Sequence, residues 1–196
     1  TMTTLEELGL LKMDFLGLRN LSVIDHAQKL AARRDPGFDV EKVQQDDPAV
    51  FQMLGQGHSV GVFQFESAGM KRLLTQAKPR SVEDLTALVA LYRPGPMQFI
   101  PTYLESREHP EKVKYRHPLL QPILEPTAGC ILYQEQVMQI FRELAGYSLG
   151  RADIVRRAMA KKKHDVLEKE REVFLHGLVG EDGSVEIEGC LRRGVD

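Results

Sequence analysis

Six cations and one acid fall within thirteen residues at Arg151-Ala-Asp-Ile-Val-Arg-Arg-Ala-Met-Ala-Lys-Lys-Lys163, a net +5 in a chain of formal charge -2. Such a segment suits phosphate: the planar guanidinium fork matches two phosphate oxygens at once, and lysines add point charge. On a helix turning about 100° per residue, Ile154, Val155, Ala158 and Met159 share one face. Arg156, Arg157, Lys161 and Lys163 flank Ala160 on the opposite face. One small methyl among four cations lets an anion approach the backbone closely. Asp153 is read as a first-turn acid that complements the helix dipole. Lys162 turns toward the apolar side, so the helix is expected to end there or the lysine to snorkel. The alternative for the whole segment is a solvated face neutralised by nearby acids.

A second candidate lies at Leu10-Leu-Lys-Met-Asp-Phe-Leu16. Alternation predicts a short strand with Lys12 and Asp14 on one face and Met13 and Phe15 on the other. A carboxylate beside an ammonium fits a Mg²⁺ ligand next to a charge-neutralising amine, although one carboxylate is too few ligands for two-metal chemistry. Arg93, before Pro-Gly-Pro96, either reaches a phosphate or caps the preceding helix. Six histidines are scattered without ligand spacing. Ser59, Ser67 and Ser148 lack a nucleophile-elbow setting, and Gly55-Gln-Gly57 lacks the strand and third glycine of a dinucleotide loop.

The elements that must position these groups read as mainly α. Helices are expected from an Asn20 cap to about Arg34, with Val23, Ile24, Ala27, Leu30 and Ala31 inward, and from Asp47-Pro48 to Gly55, with Val50, Phe51 and Leu54 inward. Val60 to Phe65 reads as a short strand, followed by a helix that Ser67 can cap. Ser81 with Asp84 resembles a capping box for a helix through Tyr92, broken by Arg93-Pro-Gly-Pro. Residues 97–130 hold prolines 101, 110, 118, 122 and 126 and read as a connection with short helical turns. Val137, Ile140, Phe141 and Leu144 make the apolar stripe of a helix from about Tyr133 to Gly146. After the basic helix, residues 165–188 carry eight acids and two bases and read as a solvated arm or a face turned from polyanions.

Composition bounds the class. At 196 residues, 42% hydrophobic and 28% charged, the chain can bury one large or two small cores and is unlike a disordered protein. A net charge of -2 gives no long-range pull on polyanions, so anion binding must be local. Cys130 and Cys190 fit small apolar fillers of a reduced protein. No run approaches eighteen apolar residues and no signal peptide opens the chain, so a cytoplasmic protein with no membrane contact is expected.

Read together, several blocks resemble one family. They are Leu11-Lys-Met-Asp-Phe-Leu-Gly-Leu-Arg-Asn-Leu21, Gly61-Val-Phe-Gln-Phe-Glu-Ser67, Leu88-Val-Ala-Leu-Tyr-Arg-Pro-Gly-Pro96, Ile131-Leu-Tyr-Gln-Glu-Gln-Val-Met138 and Ala152 through Lys163. In order and spacing they are similar to the bacterial replicative DNA polymerase III alpha subunits, the C-family polymerases. The resemblance spans about Leu8 to Asp196 and implies an excerpt of a longer polymerase: residues 1–20 as the last palm strand with its catalytic aspartate, and residues 21–196 as a multi-helical fingers domain with a few short strands and the proline-rich connection at about 97–130.

It also implies roles. Asp14 matches a metal-binding palm aspartate, one ligand of two Mg²⁺ ions whose other ligands lie outside this chain, and Lys12 matches the lysine facing the incoming phosphates. Arg156 and Arg157 match the paired arginines that approach the dNTP triphosphate, with Lys161, Lys162 and Lys163 continuing the positive surface. Gln64, Glu66, Ser67, Arg93, Tyr133 and Gln134 fall in blocks lining the nascent base pair and template. Ala128 stands where an aromatic residue is usual, and Ala160 where glycine is usual. The partners implied are primer-template DNA and dNTPs, with a sliding clamp and other replisome subunits reached through regions absent here. The palm's Asp-x-Asp pair is also absent, so this chain by itself is expected to be inactive. The competing reading is a non-catalytic helical module binding nucleic acid or protein through the same basic face.

Overall fold

The protein is seen here as a computed structural model that describes residues 2–11, 13 and 15–195. It is mainly α and divides into two compact units, 1–47 and 48–196.

In the first unit, α1 spans Met2–Glu7 and α2 spans Arg19–Ala31. The strand expected over Leu10–Leu16 does not form among its described residues, which belong to no regular element. A strand is stable only when a neighbour takes up its N–H and C=O groups, and the strands among the described residues pair with each other at 178–187. Lys12 and Asp14 lie outside the described residues. Helix α2 starts one residue before the expected cap, with Leu18 in the N-cap position and no side-chain cap. Its apolar stripe is not buried as expected: Val23, Ile24 and Leu30 are 65%, 44% and 59% exposed. A unit this short has too little chain to cover such a face by itself. Local bonds hold it instead, with Gln28 Oε1 accepting from the Val40 amide and Asp39 capping the turn at Val40–Lys42.

The second unit begins at α3, Pro48–Gly55, where the proline's missing N–H is harmless in the first turn. Phe51 and Leu54 are buried as expected, whereas Val50 is exposed. Val60–Phe65, expected as a strand, is a turn instead. Gly61 and Gln64 both take positive φ, which breaks an extended run, and the buried Ser59 hydroxyl donates to the Phe65 carbonyl at 2.6 Å to close the loop. Helix α4, Ala68–Ala77, is capped by Ser67, and α5, Val82–Leu91, by Ser81, each accepting an amide three residues on.

The proline-rich stretch is more ordered than its composition indicates. Helix α6 runs regularly over Ile100–Glu108 because Pro101 falls in its first turn, where no hydrogen bond is lost. The short α7, Gln121–Leu124, follows among 3₁₀ turns. Arg107 on α6 pairs with Asp84 on α5, donating from Nε at 3.0 Å, and donates to the Ala77 carbonyl at the end of α4. Leu54, Phe65, Met70, Leu73, Leu74, Leu88, Leu91 and Tyr103 form the first core of this unit, with Cys130 packed against it.

Helix α8, Gln134–Ala145, ends at Gly146 with φ 77°, the left-handed conformation that favours glycine. Helices α9, Leu149–Ala160, and α10, His164–His176, follow. The chain then makes an antiparallel pair, β1 at Leu178–Val179 and β2 at Val185–Ile187. A second core gathers Leu144, Ala145, Tyr147, Ala152, Val155, Ile187, Cys190 and Val195, joined by Phe141 and Phe174. Both cysteines are free and act as fillers. The acidic segment is therefore not a solvated arm: α10 is a packing element of this core. No helix among the described residues is long and apolar enough to cross a membrane.

Candidate functional site

The basic helix forms where expected, but its faces are rotated from the expected ones. Ala152, Val155 and Ala158 are buried, a spacing of three that lies flat against α8 and α10, while Ile154 and Met159 are 60% and 46% exposed. Ser148 caps it by accepting from the Arg151 amide. Asp153 is too far along to act as a first-turn acid.

The C-terminus of α9 explains Lys162. Lys162 N–H donates to the Met159 carbonyl and Lys163 N–H to the Ala158 carbonyl, the crossed pair of a Schellman ending. That geometry places Lys162 at φ 51°, a left-handed position usually given to glycine. The helix thus ends at Ala160 and throws Lys161, Lys162 and Lys163 into solvent, with no side-chain partner among the described residues.

The six cations of the segment are not equivalent. Arg151 is consumed structurally: its Nη2 lies 3.0 Å from Glu170 on α10, and its guanidinium covers the Tyr147 ring at 5.8 Å. Tyr147 donates to the same carboxylate at 2.9 Å, and burial first, then that acceptor, raises its phenol above the ordinary tyrosine range. Arg156 and Arg157 share Asp153. Arg156 Nε donates to Asp153 Oδ1 at 2.8 Å, and Arg157 Nη2 lies 2.7 Å from Oδ2. The hydrogen bond from Arg156 above all, with the charge of both arginines, holds the Asp153 carboxyl below the usual carboxylate range. Arg156 Nη1 also donates to Gln134 Oε1 at 2.6 Å, which ties α9 to the first turn of α8.

Gln134 is at the same time a wall of a groove of about 720 Å³ between α5, the 92–96 turn and the start of α8. Gln64, Arg93, Tyr133 and Gln134 all line it, over an apolar floor that includes Phe65, Leu85 and Val89. Four of the six residues placed by resemblance at the nascent pair and template are thereby brought together, next to Arg156. The other two have local duties: Ser67 caps α4, and Glu66 Oε1 accepts from the Gly61 amide at 3.2 Å. Gln64 sits at φ 67°, a strained position for a non-glycine residue of the kind that clusters at working sites.

The groove's α8 wall is fixed from beneath by a buried network. Gln136 Oε1 accepts the amides of Leu132 at 2.8 Å and Tyr133 at 2.9 Å, while its Nε2 donates to the Ile123 carbonyl at 3.0 Å and Thr127 Oγ1 at 2.7 Å. Neither Gln136 nor Thr127 stands out in the sequence, because a buried amide and hydroxyl have no periodic signature. The Asp153 bridge was within reach, since carboxylate and arginine at i, i+3 and i, i+4 meet on one helix face.

A family model described as the bacterial DNA polymerase III alpha subunit finger domain matches residues 20–182. The chain belongs to that family. The DNA polymerase III subunit alpha of Borreliella burgdorferi is 50% identical over 187 residues, covering 95% of this chain and 16% of that protein. Those of Staphylococcus aureus strains N315 and COL are each 52% identical over 179 residues, covering 90% of this chain and 17% of theirs. The chain therefore spans about a sixth of the length of these relatives.

Proposed function

We propose that this chain is the dNTP-triphosphate-binding part of a replicative, template-directed DNA polymerase. The observation that carries this reading is the pairing of two surfaces. A solvated cationic end of α9, with Arg157, Lys161 and Lys163 exposed, lies next to a groove with an apolar floor and polar rim, and the Arg156–Gln134 bond joins them. A nucleotide needs both: cations for its triphosphate and a partly apolar wall for its base. Membership of the polymerase fingers family supports the same assignment.

In this reading, the cations of α9 neutralise the triphosphate and leaving pyrophosphate by position and charge. Gln64, Arg93, Tyr133 and Gln134 face the nascent base pair and template strand. Glu66 and Ser67 act one step back, by shaping the 61–67 turn and the start of α4. Lys12 would act on the incoming phosphates. Asp14 would contribute one ligand to Mg²⁺, which when bound supplies charge neutralisation to the reacting phosphate. The other ligands would come from parts of the polymerase beyond this chain. Primer-template DNA and dNTPs are the substrates, the sliding clamp and other replisome subunits are partners of those other parts, and the cytoplasm is the compartment.

The test uses the full-length subunit with Lys161→Ala and Lys163→Ala together. The apparent dNTP Kd should rise about fivefold or more, the scale of losing two charge contacts. Primer-template affinity should stay within about twofold. An equal loss in primer-template affinity, with a matching fall in its salt dependence, would move these lysines from the triphosphate to the duplex backbone.

A further inference from the structure

Two guanidinium groups side by side repel, and neither keeps a fixed direction without a partner. In this chain both are tied to one carboxylate. Asp153 Oδ1 takes the Nε edge of Arg156, with Nε at 2.8 Å and Nη2 at 2.7 Å, and Oδ2 takes Nη2 of Arg157 at 2.7 Å. Arg156 is further held by Gln134 Oε1 at 2.6 Å, and its side chain is 19% exposed. Its Nε–Nη2 edge is therefore occupied and its Nη1 is shared with Gln134, which leaves Arg156 fewer donors for a phosphate than a free guanidinium has. Among the described residues Arg157 makes just the one ion pair, and it is 67% exposed, so most of its fork is open. Gln134 lines the groove, which makes Arg156 a strut running from the groove wall to the phosphate-facing helix.

We infer that Asp153 and Gln134 are positioning residues for nucleotide binding: together they fix Arg156 as a strut between α9 and the groove, and Asp153 aims Arg157, the arginine that contacts the triphosphate. This rests on the reading of α9 as the dNTP site. The division of labour has a chemical consequence. The Asp153 carboxylate offsets one positive charge, so the pair presents a net +1 with a set spacing, and an arriving triphosphate meets an arginine already oriented. Because Gln134 touches both the groove and Arg156, a base pair that shifts the α8 wall also shifts the strut, giving the phosphate site information about the base.

The experiment is single-turnover incorporation of a cognate and a mismatched dNTP by the full-length subunit, with primer-template Kd measured in parallel. Asp153→Ala and Asp153→Asn should raise the cognate dNTP Kd by about tenfold and about threefold, the range for losing or weakening a charge-assisted bond, with primer-template Kd unchanged. Asp153→Glu should recover part of the loss. Gln134→Ala, on the surface and not expected to disturb folding, should narrow the ratio of cognate to mismatched dNTP Kd, and Gln134→Glu, which can still accept from Arg156, should restore it. Asp153→Ala and Gln134→Ala combined should cost less than the sum of the two, since both act through Arg156. If Arg157→Ala raises dNTP Kd but all Asp153 and Gln134 variants stay within twofold of wild type, the positioning roles are overturned while the dNTP site stands. If Arg157→Ala is also without effect on dNTP Kd, the reading of α9 itself fails. Equal losses in primer-template Kd for Asp153→Ala likewise overturn the proposal.

Discussion

Replacing Gln136 by leucine removes a buried amide that joins three segments and leaves the volume nearly unchanged. Gln136 is 4% exposed, and the substitution would strand the Leu132 and Tyr133 amides and the Ile123 carbonyl, while the Thr127 hydroxyl keeps the Leu124 and Cys130 carbonyls as acceptors. Each stranded buried group costs about 1–3 kcal/mol. The two amides are only partly buried, so the low end applies and the sum is about 4 kcal/mol. Leucine returns about 1 kcal/mol of apolar burial. The net loss of about 3 kcal/mol lowers Tm by about 6–12 °C for a unit of this size. Gln136→Glu keeps the one oxygen that accepts both amides, at a helix N-terminus where negative charge is favoured, but replaces the donor to the Ile123 carbonyl with a second oxygen, so it should lose less than the leucine variant without matching wild type. The assay is thermal melting of the chain by circular dichroism. A leucine variant within about 2 °C of wild type, or a glutamate variant as damaged as the leucine one, would refute the account of this network.

Lys162 occupies the left-handed position of the α9 ending, so Lys162→Gly should raise stability by about 1 kcal/mol and Lys162→Val should lower it; paired melts check the sign. Tyr103 is pushed up to about 12 by burial first and then by the Asp84 charge. The unfolded phenol titrates near about 10. The folded state therefore holds its proton more tightly, and this contribution is fully present below about pH 10 and lost as pH rises toward about 12. Melting temperature should fall over that window, and Tyr103→Phe should flatten the fall. Primer extension by the 196-residue chain alone should give no product, and extension by it would contradict the assignment of the remaining metal ligands to other parts of the polymerase.

Helices with a strong stop or cap were readable from residue type alone. Ser67, Ser81 and Gly146 mark ends that the structure reproduces, because a hydroxyl cap or a left-handed glycine acts locally. Strands were not readable in the same way. Leu10–Leu16 and Val60–Phe65 have β-rich composition, but a strand depends on a partner that composition does not specify, and Gly61 and Gln64 turn the second segment aside. The inward face of α9 excludes Ile154 and Met159, which the sequence pattern includes, since hydrophobicity alone does not say which of two adjoining faces meets α8 and α10. For the site, the cations and the groove residues were legible as types, whereas their inequality was not. Arg151 went to Glu170 and Arg156 to Asp153 and Gln134 through pairings of which only those within one helix have a sequence spacing.

The central claim is that the exposed face of α9 holds the triphosphate of an incoming nucleotide. Its most direct measurement is the dNTP concentration dependence of single-turnover incorporation by full-length Arg157→Ala enzyme. The account predicts an apparent dNTP Kd raised about tenfold or more, in keeping with loss of a charge-assisted contact, with primer-template Kd unchanged. An unchanged dNTP Kd, or a loss confined to primer-template binding, would contradict it.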